Sequence, residues 1–229
     1  MDVRTSSETS SRARGASISF RAAEVIREAI FAGKLQPGDP LPESQLTQDL
    51  GVSQTSVREA LFSLEREGLV VRIPNKGTSV IELTEEELRE RAAVYVLLES
   101  TAAMEAAGKM SPADLEKLEH CRRDIEQTPR QDSPRSFREA DLEFHRLMWR
   151  YAGNAVLYAT LDSLALPMFA LATTIRPVPA QDIDQARRSH QAITRAMRSC
   201  DKNRIVRAIS EHVTGSFLSA KIGGFEILR

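Results

Sequence analysis

The sequence predicts a mainly helical protein in two parts: a three-helix unit closed by a β-hairpin, then a longer all-helical bundle. Three observations carry this. Apolar residues recur at helical spacing through most of the chain after residue 19. The one stretch with strand character is a pair of β-branched runs around Pro74-Asn75-Lys76-Gly77. From Thr84 onward only helical patterns remain.

Composition narrows the reading. With 5% aromatic residues against 41% hydrophobic, the core must be built from Leu, Ile, Val, Ala and Met. The formal net charge is -1. Residues 1–83 hold ten Lys or Arg against eleven Asp or Glu, so no basic surplus marks a partner for nucleic acid. Any such role must rest on geometry. The two cysteines, Cys121 and Cys200, are too few and too far apart for a disulfide framework or a CxxC knuckle. A reducing, cytoplasmic setting is expected. Residues 1–19 lack the apolar core of a signal peptide. The longest apolar run, Leu164 to Ala172, is broken by Pro167 and falls short of the ~20 residues of a membrane span.

Taken in order, residues 1–16 are rich in Ser, Thr and Arg and read as a disordered tail. A helix over 20–31 buries Ala23, Ile26, Ile30 and Phe31 and ends at Gly33. A second starts at Pro42 or Glu43, buries Leu46 and Leu50, and closes on Gly51. Ser53 caps a third, over 54–67, which buries Val57, Leu61 and Leu64 and stops at Gly68. Strands over 69–73 and 78–81 flank the turn. Thr84 and Glu87 form a capping box opening a helix to about Ala107. Ser111-Pro112 starts the next, to about Gln127. A Pro-rich loop over 128–134 precedes a helix ending near Tyr151, and Gly153-Asn154 breaks the chain. A helix over 155–174 contains Pro167, a potential kink, and Pro177 and Pro179 end it. Helices over 182–199 and 202–220 complete the chain. The parts are thus a tail at 1–16, a first domain at 17–83 and a helical domain at 84–229.

Three helices followed by a two-stranded wing make a winged helix-turn-helix. In such a module the helix after the tight turn enters the major groove, N-terminal residues first. Ser53, Gln54, Thr55 and Arg58 occupy that position. Gln pairs with adenine, and Arg pairs with guanine or phosphate. Lys76 and Gly77 at the wing tip are placed to approach the DNA backbone or minor groove. A small helical domain that binds another protein is the competing reading of the same pattern.

The runs Gly33 to Gly38, Leu41-Pro42-Glu43, Leu50-Gly51-Val52-Ser53, Val57 to Leu61 and Leu64 to Leu69 resemble the GntR family of bacterial regulators. The resemblance spans residues 20–82. It implies a homodimer that reads a palindromic DNA operator through Gln54, Thr55 and Arg58, with Gly77 in the wing. The family usually has Arg where Gln54 stands, Pro where Ser56 stands, and often Arg where Ser44 stands. Ser44 therefore occupies a DNA-facing position without the charge.

Histidines mark the second part. Phe137, Phe144, Met148 and Ala152 form an apolar stripe that Asp141 and His145 share at i, i+4. His190 shares a face with Ala186, Ile193 and Met197, and His212 with Ile205, Ala208 and Ile209. One carboxylate and three imidazoles therefore point toward one core. A divalent metal ion would gather them. Hydrogen-bonded core histidines, with a simple Asp–His pair, are the alternative that the residues leave open. His120 lies off its stripe, among Glu116, Glu119 and Arg123, and is expected in solvent.

Residues 84–220 resemble the FCD ligand-binding domain of the FadR-type branch of the same family. The similarity rests on Asp141 with His145, Gly153-Asn154, Ser189-His190 and Glu211-His212. It implies an antiparallel bundle of six or seven helices holding zinc, nickel or manganese through Asp141, His145, His190 and His212. It also implies a carboxylic-acid effector near Tyr95, Glu99 and Asn154. The branch often has Arg where Tyr95 stands, and Tyr cannot form a bidentate ion pair. Arg146, Arg150 and Arg188 are candidates to compensate.

Three functions compete: a metabolite-responsive repressor or activator, a metalloenzyme using metal-bound water, and a metal sensor. The absence of a well-placed additional base, and the fused reader, argue against the enzyme.

Overall fold

The computed structural model describes residues 5–127, 134–175 and 180–217, with backbone alone for 5–16, 134–136, 172–175 and 180–186. The Pro-rich loop at 128–133, Pro177, Pro179, residues 1–4 of the expected tail and the end of the last helix lie outside the described residues. The chain divides into two compact units, residues 1–82 and 83–229.

The first unit holds α1 (Thr5–Phe31), α2 (Glu43–Leu50), α3 (Gln54–Arg66), β1 (Val70–Ile73) and β2 (Gly77–Val80). Helix α1 begins within the segment expected to be disordered. Its Ser, Thr, Arg and Ala residues carry moderate helix propensity and include no proline, so a helix started at Phe20 can extend backward. Its buried stripe is the expected one: Ala23, Ile26, Ile30 and Phe31 are all buried. Arg27 reaches Glu67 with two hydrogen bonds, at 2.7 and 2.8 Å, and ties α1 to the end of α3.

Helix α2 departs from expectation, since none of its residues is fully buried. Leu46 and Leu50 are half-buried, because this eight-residue helix packs chiefly on α3. Gly51 ends it in the left-handed conformation, φ 62°. Ser53 caps α3 by accepting a hydrogen bond from Ser56 N at 3.2 Å. Val57, Ala60, Leu61 and Leu64 of α3 face the core. The hairpin pairs Val70 with Val80 and Ile73 with Gly77, and Asn75 takes φ 63° in its turn. An unforeseen bridge joins Pro40 to Ser79. Leu41 N donates to Thr78 O at 2.8 Å beside it.

The second unit contains α4 (Glu85–Lys109), α5 (Pro112–Gln127), α6 (Pro134–Ala152), α7 (Ala155–Ile175), α8 (Ala180–Ser199) and α9 (Lys202–Phe217). Helix α4 lies against α6, α7, α8 and α9. It can do so because Ala92, Ala102, Ala103 and Ala106 leave room for neighbours and are completely buried. Larger side chains from the surrounding helices fill the space, among them Phe144, Met148, Trp149, Leu161 and Phe169. Helix α7 runs through Pro167 without interruption.

The expected capping box is present. Thr84 Oγ1 accepts from Glu87 N at 3.2 Å, and Glu87 Oε2 accepts from Thr84 N at 2.9 Å. Thr84→Ala is expected to cost about 1 kcal/mol in urea unfolding of the full chain. Unchanged stability would show that α4 is held by packing alone.

Candidate metal centre and reader surface

Four helices deliver the buried polar cluster. Asp141 and His145 stand one turn apart on α6, His190 is on α8, His212 is on α9, and Glu99 joins from α4. All five are buried to within 1% of complete. One ligand atom from each of Asp141, His145, His190 and His212 lies within 4.8 Å of the others.

The hydrogen-bond partners orient the rings. His145 Nδ1 sits 2.5 Å from Glu99 Oε1. With Glu99 Oε1 as the acceptor, Nδ1 carries the hydrogen and Nε2 faces the cluster. Trp149 Nε1 donates to the same Glu99 oxygen at 3.2 Å. His212 Nδ1 is engaged by Ser189 Oγ at 2.9 Å, which turns its Nε2 inward. The two Nε2 atoms then meet at 3.1 Å. Two bare lone pairs at that distance repel, so something electropositive must lie between them: a proton or a metal ion. Asp141 Oδ1 is 2.7 Å from His190 Nε2 and 3.4 Å from His145 Nε2. Neither Asp141 oxygen receives a hydrogen bond of good geometry.

Electrostatics separates the groups. Burial alone would depress the His145 imidazole, but the Glu99 carboxylate and then Asp141 outweigh it and raise it to about 10. Burial, then His190 and His145, hold His212 well below its ordinary value, so it is neutral. Burial opposes ionisation of Asp141, yet His190 and His145 hold it well below the usual carboxylate range. Burial first, then Glu99, push the Tyr95 phenol well above its ordinary value.

Of the expected effector contacts, the structure brings Tyr95 and Glu99 to the cluster. Both are completely buried, and Tyr95 Oη and Glu99 Oε2 find no hydrogen-bond partner among the described residues. The other four lie elsewhere. Arg146, one residue past His145, points off the inner face and holds Asp162 at 2.7 Å and Glu143 at 3.1 Å. Arg150 is half exposed and lies 3.6 Å from Glu143. Arg188 is exposed. Asn154 Oδ1 caps α7 by accepting from Val156 N and Leu157 N at 3.1 and 3.0 Å. Each is spent on a surface ion pair, on solvent or on a cap. A cation the sequence reading passed over does reach the site. Arg138 is 5% exposed, and its Nη1 is 3.6 Å from Asp141 Oδ2. Its signal was its place three residues before Asp141 on the same helix face.

The residues expected to face DNA gather on and around α3. Ser44, Gln54, Thr55, Arg58, Lys76 and Gly77 are all exposed. Ser53 is exposed too, but its hydroxyl serves the helix cap. Glu43 Oε2 accepts from Arg58 Nε at 2.6 Å and from Gln54 Nε2 at 3.2 Å.

A family model described as bacterial regulatory proteins, gntR family, matches residues 19–80. A second, the FCD domain, matches residues 90–215. The probable D-xylose utilization operon transcriptional repressor of Paenarthrobacter nicotinovorans is 30% identical over 207 residues, covering 90% of this chain and 89% of that protein. The HTH-type transcriptional repressor NanR of Cronobacter sakazakii is 29% identical over 222 residues, covering 85% and 82%. Among solved structures, McbR/YncC of E. coli matches with a TM-score of 0.73 at 20% identity, over 86% of this chain and 93% of that one. That likeness is one of fold.

Glu99→Leu removes the acceptor for two buried donors, His145 Nδ1 and Trp149 Nε1. It is expected to destabilise the chain by about 3 kcal/mol, read by urea unfolding through Trp149, the only tryptophan. Glu99→Gln, which keeps a carbonyl acceptor, should recover part of the loss. A Leu variant as stable as the parent would refute the account.

Proposed function

The chain belongs to the GntR family of bacterial regulatory proteins, in the branch with an FCD domain, and from that premise we propose a repressor whose hold on its operator is set by a carboxylic acid at a metal centre. It is a DNA-binding transcriptional regulator, and its family and relatives are regulators rather than enzymes. The sense of regulation follows the relatives named above, which are repressors.

The observation that carries the metal reading is the convergence of three imidazoles on an ionised, poorly hydrogen-bonded Asp141, with one ligand atom of each within 4.8 Å of the others. Three imidazoles and a carboxylate suit zinc, with nickel or manganese also compatible. Asp141, His145, His190 and His212 would hold the ion. When bound, it would supply positive charge and open coordination positions to an acid. Glu99 and Ser189 keep two of the rings turned toward it. Tyr95, Glu99 and the buried Arg138 would meet the rest of the effector, a reading supported by their burial beside the cluster.

The regulator would act as a homodimer on a palindromic operator. Val94 and Leu97 on α4 and Val156 on α7 expose apolar surface, at 47%, 48% and 76%, suited to a second copy. An acid that favours one dimer arrangement would shift operator affinity by its differential binding.

Protein purified without chelator should carry about one divalent ion per chain, and His190→Ala should lose most of it. Elemental analysis checks this, and equal metal in both proteins would sink the centre. An acid that binds at a hundred times its Kd should add about 2.7 kcal/mol of stability. In a thermal-shift screen that gain should vanish in His190→Ala. If chelation and metal addition alone toggle operator binding, with no acid required, the ion itself is the signal.

A further inference from the structure

Glu43 is the first residue of α2, but its carboxylate works across three elements. It accepts from Arg58 Nε at 2.6 Å and from Gln54 Nε2 at 3.2 Å on α3. Its other oxygen lies 3.6 Å from Arg72 Nη2 on β1. The two arginines are open to solvent, at 59% and 62% exposure, while Glu43 is 22% exposed. One sheltered acid thus holds two exposed cations and one amide of the reader surface. This occurs in a segment with ten basic residues against eleven acidic ones, where each masked cation matters.

From this we infer that Glu43 is a specificity latch, restraining Arg58, Gln54 and Arg72 so that random DNA gains little from them. Non-specific affinity comes from cations that reach phosphates and release counterions. A guanidinium already paired with a carboxylate gains little by exchanging it for a phosphate, and the carboxylate itself repels the backbone. A duplex with the right base edges offers more. Its acceptors can take the Arg58 terminal nitrogens and the Gln54 amide in bidentate pairs while Glu43 keeps Nε. The latch therefore costs random sequence more than it costs the operator. The idea rests on α3 being the helix that reads DNA.

The test uses full-length protein as purified and two duplexes of equal length. One is selected by the wild-type protein from a random pool, and the other is scrambled. Because the pairs are exposed, the effect per cation is modest. Glu43→Gln should raise affinity for the scrambled duplex about threefold to tenfold at low salt and steepen its salt dependence by about one phosphate contact. The selected duplex should gain less, so discrimination falls at least about threefold. In a background carrying both Arg58→Gln and Arg72→Gln most of the Glu43→Gln effect on the scrambled duplex should disappear, the mark of one residue acting through others. Equal changes on both duplexes, or no change, overturn the latch. So does a full effect in the background lacking both arginines. If Arg58→Gln alone leaves discrimination intact, the reading helix itself is misassigned. If Arg58→Gln abolishes discrimination and Glu43→Gln changes nothing, only the latch falls.

Discussion

An ionised carboxylate shut away from water has to be answered by positive charge or donors. In the helical unit that carboxylate is Asp141, and much of the surrounding architecture serves it. Helices α6, α8 and α9 must meet closely enough to bring three imidazoles within reach. Helix α4 must also pack closely against all three, which its alanines permit. Glu99, carried on α4, turns His145 toward the acid. Arg138, one turn before Asp141 on α6, adds a buried guanidinium. Replacing the alanines with larger residues would push apart the helices whose approach the polar centre requires.

The reader unit solves a different problem with little net charge. Its surface depends on side-chain placement, and that placement begins in the backbone. Leu41 and Pro40 are stitched to β2, so the start of α2 cannot drift from the wing. Two residues later, Glu43 is in position to address α3 and β1 together. The Arg27–Glu67 pair fixes the far end of α3 against α1. Helix α3 is therefore anchored at both ends by contacts outside its own hydrophobic stripe.

Much of this was legible in the sequence because it is local. Helix periodicity, Gly51 as a C-cap, Ser53 as an N-cap and the Thr84–Glu87 box each depend on residues within a few positions. The convergence of Asp141, His145, His190 and His212 was legible because each shares a face with apolar neighbours. What escaped depends on partners distant in sequence. Arg146 and Arg150 were candidates to meet an effector, yet they pair with Glu143 and Asp162, because charge type does not reveal which way a side chain points. Asn154 was expected at the effector, yet it is a helix cap. The Pro40–Ser79 bridge left no periodic trace, since a single bridge needs no repeating pattern. The start of α1 at Thr5 was missed because composition alone suggested disorder, and composition does not register a helix propagating from a packed neighbour.

The polar centre draws its members from residue 99 to residue 212, on four helices separated by long stretches of chain. No fragment of the unit carries it whole, and pairing any two helices leaves it incomplete. Such non-local contacts form late, after the loop-closure entropy of the intervening chain has been met. The centre is therefore complete only when all four helices are in place. During synthesis it can close only after α9 has left the ribosome, so a chain truncated before α9 would carry the first unit whole and the polar centre incomplete.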